Sequence, residues 1–191
     1  MKRFSFLIVF CLIFLVGCSQ DNNKYTLLEE NDNYELYAYE NDDILSDYVY
    51  FVFNHDGEKI DSGYYEVGEP RFKRFENDVL KVSTGSGTNV AFITYYDLNQ
   101  SLISDEYQNV YYEDGNLIAY ITYQEGDTYL CVKHIFDDQL LLKEKLQIKD
   151  IMTTDYQITI KDNVVTVEHA KDSSYETIVE TFSFKELEWK R

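Results

Sequence analysis

The amino-acid sequence predicts an all-β fold, and three observations support that prediction. Aromatic residues make up 16% of the chain, with 18 Tyr and 12 Phe, and such side chains are enriched in strands. Only one Pro occurs in 191 residues, so the composition is not that of a disordered chain. Turn signals recur between segments in which apolar residues alternate, which is the pattern of short antiparallel strands.

Four turn signals divide the chain into units of similar length. Each combines Asn with Asp or Gly, residues that accept the left-handed backbone of a tight reversal. One Asn from each turn marks a spacing of about 40 residues: Asn41, Asn77, Asn116 and Asn163. Each marker is followed by a second predicted reversal, in segments 54–57, 85–89, 124–127 and 171–174.

The segments between these turns predict different degrees of burial. Segments 117–123 and 129–136 carry apolar residues on both faces, which predicts strands covered on both sides. Segment 165–168 alternates Val with Thr and Glu, which indicates a strand buried on one side, as at a sheet edge. Segment 139–151 fits either a strand pair or a short amphipathic helix.

Four units of three or four strands, repeated about every 40 residues, resemble the blades of a β-propeller. No Trp-Asp pair stands at a strand end, and a single antiparallel sandwich or barrel accounts for the same strands. We therefore expect an all-β fold of antiparallel meander units, small and β-propeller-like, with a β-sandwich or barrel as the alternative.

The first eighteen residues have a different character from the rest of the chain. Met1-Lys2-Arg3 provides a positive start, an uncharged, mostly apolar run extends from Phe4 to Val16, and Gly17 and Cys18 follow. This order is typical of a secretory signal peptide. The apolar run is too short for a membrane-spanning helix, which needs about 20 such residues.

The residues Leu15-Val16-Gly17-Cys18 resemble the lipobox of bacterial lipoproteins. The resemblance implies cleavage between Gly17 and Cys18 and a diacylglycerol on the Cys18 thiol. Each buried CH₂ of an acyl chain contributes about 0.8 kcal/mol, so two chains form a stable anchor where one does not. We expect the protein to be lipid-anchored to the cell membrane or the outer membrane, facing outside the cytoplasm.

These signals divide the chain into three parts: a signal peptide (1–17), a lipidated N-terminus with a polar tether (18–33) and a single all-β domain (34–191). The sequence contains three Cys. Cys11 leaves with the leader and Cys18 carries the lipid, so the mature chain retains Cys131 alone and forms no internal disulfide. The apolar neighbours of Cys131 predict a buried, inert thiol.

The net charge excludes some partners. The chain carries a formal charge of −18 at pH 7, and the loss of Lys2 and Arg3 with the leader makes the mature chain more acidic still. Such a surface repels nucleic acid and anionic lipid headgroups, so we expect no nucleic-acid partner. The charge suits cations, cationic peptides or a basic protein, and it is also typical of a solvated surface that resists aggregation.

No motif in the mature sequence defines an activity. Gly85-Ser86-Gly87 lacks the Lys and Ser or Thr of a phosphate loop, and no Gly-x-Ser-x-Gly elbow occurs. Acidic turns such as Asp42-Asp43 and Asp137-Asp138 offer oxygen ligands to calcium, but none has the spacing of a dedicated calcium loop. We assign no catalytic residue, metal ligand or cofactor.

Adjacent tyrosines form the most distinctive feature of the mature chain. In a strand, neighbouring side chains point to opposite faces, so each pair places one ring on each face of its sheet. Where such rings are exposed, they would form a binding platform for a peptide or glycan. The alternative is that Tyr replaces Phe in a two-layer fold, with its hydroxyl at the rim. The candidate binding surface consists of three pairs: Tyr64 and Tyr65, Tyr95 and Tyr96, and Tyr111 and Tyr112.

The anchor, the aromatic strands and the absence of a catalytic motif favour one function. We expect a membrane-anchored cell-envelope lipoprotein that acts as a non-catalytic binding or interaction module for an envelope protein, peptide or glycan. The alternatives are a carboxylate-dependent hydrolase of envelope polymers and an accessory subunit of an envelope complex. A concave pocket with two carboxylates would favour the hydrolase, and a flat aromatic patch the binding module.

Overall fold

A computed structural model describes the chain over residues 25–39, 47–66, 68–85, 90–147, 156–170 and 176–185. Every regular element in these ranges is a β-strand. The strands form four antiparallel sheets, none of them closed into a barrel. The predicted all-β fold of antiparallel meander units is confirmed.

Sheet 1 is a meander in which each strand pairs with the next along the chain. Its strands are β1 (Tyr25–Asn31), β2 (Tyr34–Tyr39), β3 (Asp47–Phe53) and β4 (Lys59–Tyr65). The strand β1 lies inside segment 18–33, which was expected to be a tether, so sheet structure is present before residue 34. All seven side chains of β1 are exposed, which explains why its sequence lacks the buried alternation by which strands are recognised.

The remaining strands form three further meanders. Sheet 2 contains β5 (Arg71–Arg74), β6 (Val79–Gly85), β7 (Ala91–Asp97), β8 (Leu102–Ile103) and β9 (Tyr107–Gln108), which also pairs with β7. Sheet 3 contains β10 (Val110–Asp114), β11 (Leu117–Gln124), β12 (Asp127–His134) and β13 (Leu140–Lys145). Sheet 4 contains β14 (Tyr156–Lys161), β15 (Val164–Ala170) and β16 (Thr177–Ser183).

Tight turns join strands where the sequence predicted them. Glu125 and Gly126, between β11 and β12, have φ angles of 52° and 90°, and Asp162 and Asn163, between β14 and β15, have φ angles of 51° and 61°. Left-handed backbone at both positions matches the right-handed twist of the paired strands. The turns predicted at Asn41 and at 171–174, and residues 86–89 of the turn predicted at 85–89, lie outside the described residues.

The four sheets stack face to face in chain order and enclose three hydrophobic interfaces. Leu36 and Val52 of sheet 1 pack with Leu80 and Val82 of sheet 2. Sheets 2 and 3 meet around Ile93, Tyr95 and Ile118, and sheets 3 and 4 around Leu130, Val132, Val165 and Val167. Within the described ranges, no hydrophobic cluster joins sheet 4 to sheet 1, so the hydrophobic interfaces link the sheets in one row, in the order 1, 2, 3, 4.

This order of sheets explains the burial patterns. In β11, Ile118 packs toward sheet 2 while Ala119 and Ile121 pack toward sheet 4, which confirms a strand covered on both sides. In β15, Val165 is buried and Glu168 is exposed. This strand is central in its sheet and not an edge strand; its one-sided pattern arises because sheet 4 ends the row.

Candidate binding surface

Sheet 1 lies at one end of the row of sheets and sheet 4 at the other. One face of sheet 1 packs on sheet 2, and the opposite face packs on no other sheet among the described residues. Alternation along β2 and β3 sends Leu36 and Val52 inward, where both are completely buried. Tyr37 and Phe51 lie on the outer side and are half-buried. We call the outer surface of sheet 1 the aromatic face, and define it by Tyr25, Leu27, Tyr37, Val49, Phe51 and Tyr64.

The strand register places these side chains in a continuous row. Leu27 of β1 lies opposite Tyr37 of β2, Tyr37 lies opposite Val49 of β3, and Val49 lies opposite Tyr64 of β4. Side chains opposite one another in antiparallel strands share a face and contact each other. One apolar row therefore crosses all four strands of the sheet.

A shallow cleft of ≈ 310 Å³ lies on this surface, lined by Tyr25, Tyr37, Val49 and Phe51. The Tyr37 and Phe51 rings stand edge to face, with centroids 5.9 Å apart and planes at 78°. Tyr25 is 48% exposed and Tyr64 is 53% exposed. Rings held in fixed positions with open faces bind ligands at a low cost in conformational entropy.

Carboxylates accompany the rings of the aromatic face. The Tyr37 hydroxyl donates a hydrogen bond of 2.9 Å to Glu35, and this bond raises the pKa of Tyr37. A hydrogen bond to Asp47 raises the pKa of Tyr64 to about 12. Both phenols donate to carboxylates, which give this surface negative charge.

One basic side chain already lies on this surface. The Lys59 ammonium stands over the Phe51 ring, with Nζ 5.6 Å from the ring centroid. A cation at this distance is attracted by the negative face of the ring. The surface therefore combines apolar contact area, ring faces and negative charge.

Of the three tyrosine pairs predicted to bind ligand, the first is divided between two environments. Tyr64 belongs to the aromatic face and is exposed. Tyr65 points the other way and packs partly buried against the interface of sheets 1 and 2. This opposition is the one expected for neighbours in a regular strand.

Tyr95 and Tyr96 are completely buried, so neither offers an exposed ring and the expectation of a platform at this pair is corrected. Their strand, β7, lies in a sheet covered on both faces, so Tyr95 enters the interface with sheet 3 and Tyr96 the interface with sheet 1. The Tyr95 hydroxyl donates to Glu113 at 2.5 Å, and the Tyr96 hydroxyl donates to Asp61 at 2.8 Å. These rings fit the alternative in which Tyr replaces Phe in the core.

Tyr111 and Tyr112 are half-buried, and both pack against the interface of sheets 3 and 4. Adjacent strand residues share a side here because a register shift falls between Val110 and Tyr112, as a β-bulge does. Tyr111 contacts the Tyr156 ring, with centroids 5.2 Å apart. The structure does not bring this pair together with Tyr64.

Most of the aromatic face was not predicted from the sequence. Tyr25 and Leu27 fell in the expected tether, and Tyr37, Val49 and Phe51 do not belong to pairs of adjacent tyrosines. Alternation along β2 and β3 was a usable signal, since both faces of these strands carry large apolar residues. A strand covered on both sides has the same sequence pattern, so the sequence does not show that the outer face of sheet 1 is uncovered.

In the cleft between sheets 2 and 3, the carboxylates accept backbone hydrogen bonds. A cleft of ≈ 410 Å³ between sheets 2 and 3 is lined by Asp97, Asp137 and His134, among others. Asp97 Oδ1 accepts the backbone N–H groups of Asn99 and Gln100, both at 2.9 Å, and Asp137 Oδ1 accepts that of Gln139 at 2.9 Å. Within the described ranges, no group of three or more His, Cys, Asp or Glu side chains is placed to hold a metal ion.

The residues that resemble a lipobox, with the expected cleavage site at Gly17 and Cys18, lie outside the described residues. Among the residues that are described, no helix is long and apolar enough to cross a membrane. No protein-family model and no curated protein matches the chain.

Proposed function

We propose that the protein is a lipid-anchored lipoprotein of the cell envelope that acts as a non-catalytic binding module. The aromatic face is the observation that carries this proposal, because a row of apolar side chains crosses four strands without a covering layer among the described residues. Contiguous exposed apolar surface of this kind is typical of a site for protein or ligand binding.

The lipobox supports a position close to the membrane surface. Only residues 18–24 separate the proposed lipidation site from β1, which is a reach of at most roughly 25 Å at about 3.5 Å per residue. Sheet 1 is the sheet nearest the anchor in sequence. A ligand of the aromatic face would therefore be held close to the envelope membrane.

The carboxylates of the cleft between sheets 2 and 3 favour binding over hydrolysis. A carboxylate-dependent hydrolase needs one carboxyl group as acid and another as base or nucleophile, both free to contact the substrate. In the cleft between sheets 2 and 3, Asp97 and Asp137 each accept backbone hydrogen bonds that close a turn. These hydrogen bonds give Asp97 and Asp137 a structural role.

A thermal-shift screen of the full chain tests the proposal. The panel contains calcium, envelope glycans and cationic peptides, and a ligand at 100 times its Kd stabilises the folded state by about 2.7 kcal/mol. We expect at least one ligand to raise Tm, with the increase reduced in Tyr37→Leu and retained in Tyr123→Leu, a matched change at an exposed Tyr outside the aromatic face. Turnover of an envelope polymer that is lost on a single carboxylate substitution would contradict it.

A further inference from the structure

The aromatic face carries more negative charge than its own chain neutralises. Glu30 of β1 lies directly opposite Glu35 of β2, and like charges in opposite positions destabilise a sheet. Among the described residues, neither carboxylate forms an ion pair with Lys, Arg or His. A positively charged ligand would relieve this repulsion.

We propose that the aromatic face binds an extended cationic peptide, with Lys or Arg side chains laid over its rings and beside Glu30 and Glu35. The inference rests on the binding-module function and specifies its ligand class. The aromatic face offers two interactions that a basic side chain forms: ring faces attract ammonium and guanidinium groups, and carboxylates pair with them.

Lys59 shows on this same surface how such a side chain is held. Its ammonium lies over Phe51 while its strand neighbours leave it exposed. A basic side chain of a ligand would contact the same ring, so Lys59 competes with the ligand for the face of Phe51. This competition distinguishes a specific cation site from general attraction to an acidic protein.

The dimensions of the face suit a short extended segment. Adjacent strands lie about 4.8 Å apart, so the row from Leu27 to Tyr64 spans about 14 Å across four strands. Alternate side chains of an extended peptide recur about every 6.6 Å. Two or three basic residues at alternate positions therefore match the width of the row.

Other ligand classes fit the charge less well. A neutral glycan would stack on the rings but would leave the repulsion between Glu30 and Glu35 in place. A membrane surface rich in anionic lipid would be repelled by a chain of net charge −18. A cationic peptide forms cation–π contacts with the rings and ion pairs with Glu30 and Glu35.

The test is calorimetric titration of the full chain, purified in a zwitterionic detergent, with hexalysine and with fully acetylated hexalysine as the uncharged control. We expect hexalysine to bind and the acetylated peptide not to bind. Tyr37→Leu and Glu35→Gln should each weaken binding about two- to fivefold, the contribution of one exposed cation–π or ion-pair contact. Tyr123→Leu and Glu168→Gln are matched changes at exposed positions outside the aromatic face. Tyr123→Leu should leave the affinity for hexalysine unchanged. Glu168→Gln should weaken it only marginally, through the loss of one negative charge.

A second pair of variants separates the ring site from overall charge. Lys59→Gln and Lys161→Gln change the net charge equally, and both lysines are exposed. Lys59→Gln should bind hexalysine about twofold more tightly than Lys161→Gln, because it vacates the Phe51 ring. Equal affinities of the two variants would overturn the assignment of the site to these rings.

The remaining outcomes separate the inference from the proposed function. Equal binding of hexalysine and its acetylated form, or a Tyr37→Leu variant with parental affinity, overturns the cationic-peptide inference. If Tyr37→Leu instead abolishes binding of an envelope glycan, the binding-module function stands with a different ligand. If vesicles of anionic lipid bind the aromatic face in preference to hexalysine, the cationic-peptide inference fails as well.

Discussion

At the scale of single residues, close packing at one glycine sets the position of a core ring. Gly63 of β4 lies directly opposite Tyr50 of β3, and a Cβ added at Gly63 would overlap the Tyr50 ring. Tyr50 is 5% exposed and belongs to the interface of sheets 1 and 2, so it has little room to move. The absence of a side chain at residue 63 is therefore a packing requirement of the interface.

We expect Gly63→Ala to lower the free energy of unfolding by about 1–3 kcal/mol, the usual cost of overpacking a well-filled core. Urea unfolding of the full chain measures the change. Gly85→Ala is the matched control, since an added Cβ there meets nothing within 4 Å. Equal stability of the two variants would contradict this packing argument.

Cys131 is buried, as its sequence neighbours predicted. It is 2% exposed, and burial raises the pKa of the thiol, so both access and the thiolate fraction are reduced. We expect slow alkylation of Cys131 in the native state and rapid alkylation after denaturation, measured by mass spectrometry. Rapid labelling of the native protein would mean that the β12 surface is open to solvent.

At the scale of the strand, β7 shows what a sheet covered on both faces requires of adjacent tyrosines. Burial, with a hydrogen bond to Glu113, raises the pKa of Tyr95. Burial, with hydrogen bonds to Tyr50 and Asp61, raises the pKa of Tyr96. An unfolded chain ionises its tyrosines near pH 10, so above that pH the unfolded state releases protons that the native state retains.

The sign of this linkage predicts alkaline destabilisation. The stability contributed by Tyr95 and Tyr96 is complete below about pH 10 and is lost as pH rises further, by about 1.4 kcal/mol per pH unit for each residue. Unfolding free energies at about pH 9 and about pH 11 measure the loss. Tyr96→Phe should reduce the slope and Tyr123→Phe, at an exposed site, should not; identical slopes for the two variants would refute the linkage.

The strands themselves were largely predictable, because hydrophobic alternation and turn residues are local signals. Alternation in 117–123 predicted two-sided burial of β11, and the Asp162 and Asn163 turn marked the β14–β15 hairpin. β1 was missed, since an edge strand with seven exposed residues lacks alternation. The paired orientation of Tyr111 and Tyr112 was missed as well, because a register shift changes which face a side chain occupies.

At the scale of the whole molecule, the order of the sheets determines which surfaces remain open. Sheets 2 and 3 each pack on both sides, whereas sheets 1 and 4 each have one unpaired face among the described residues. The outer face of sheet 4 carries polar side chains such as Gln157, Thr159 and Glu168. The aromatic face thus belongs to the sheet that is nearest in sequence to the proposed anchor.

This arrangement was not predictable from composition. Tyr37 and Tyr95 lie in strands of similar sequence character, and only the stacking order of the sheets leaves the first ring half-buried and the second completely buried. Long-range packing, not local periodicity, decides between the two. Adjacent tyrosine pairs therefore identified one residue of the aromatic face, Tyr64, and five that lie elsewhere.

The proposed anchor makes a separate prediction at this scale. Cys18→Ser removes the thiol that would carry the lipid, so the variant should leave the membrane fraction or accumulate as an uncleaved precursor. Fractionation and the mass of the purified chain measure both outcomes. Mature Cys18→Ser protein that remains in the membrane fraction would refute the lipobox assignment.

The measurement that tests the central claim most directly is the nuclear magnetic resonance spectrum of the full chain, with labelled tyrosine rings, during titration with hexalysine. We expect the ring resonances of Tyr25, Tyr37 and Tyr64 to shift together and saturably, while those of Tyr112 and Tyr123 stay in place. Shifts at Tyr112 or Tyr123 with the other three unchanged would contradict the account, because ligand would then bind away from the aromatic face.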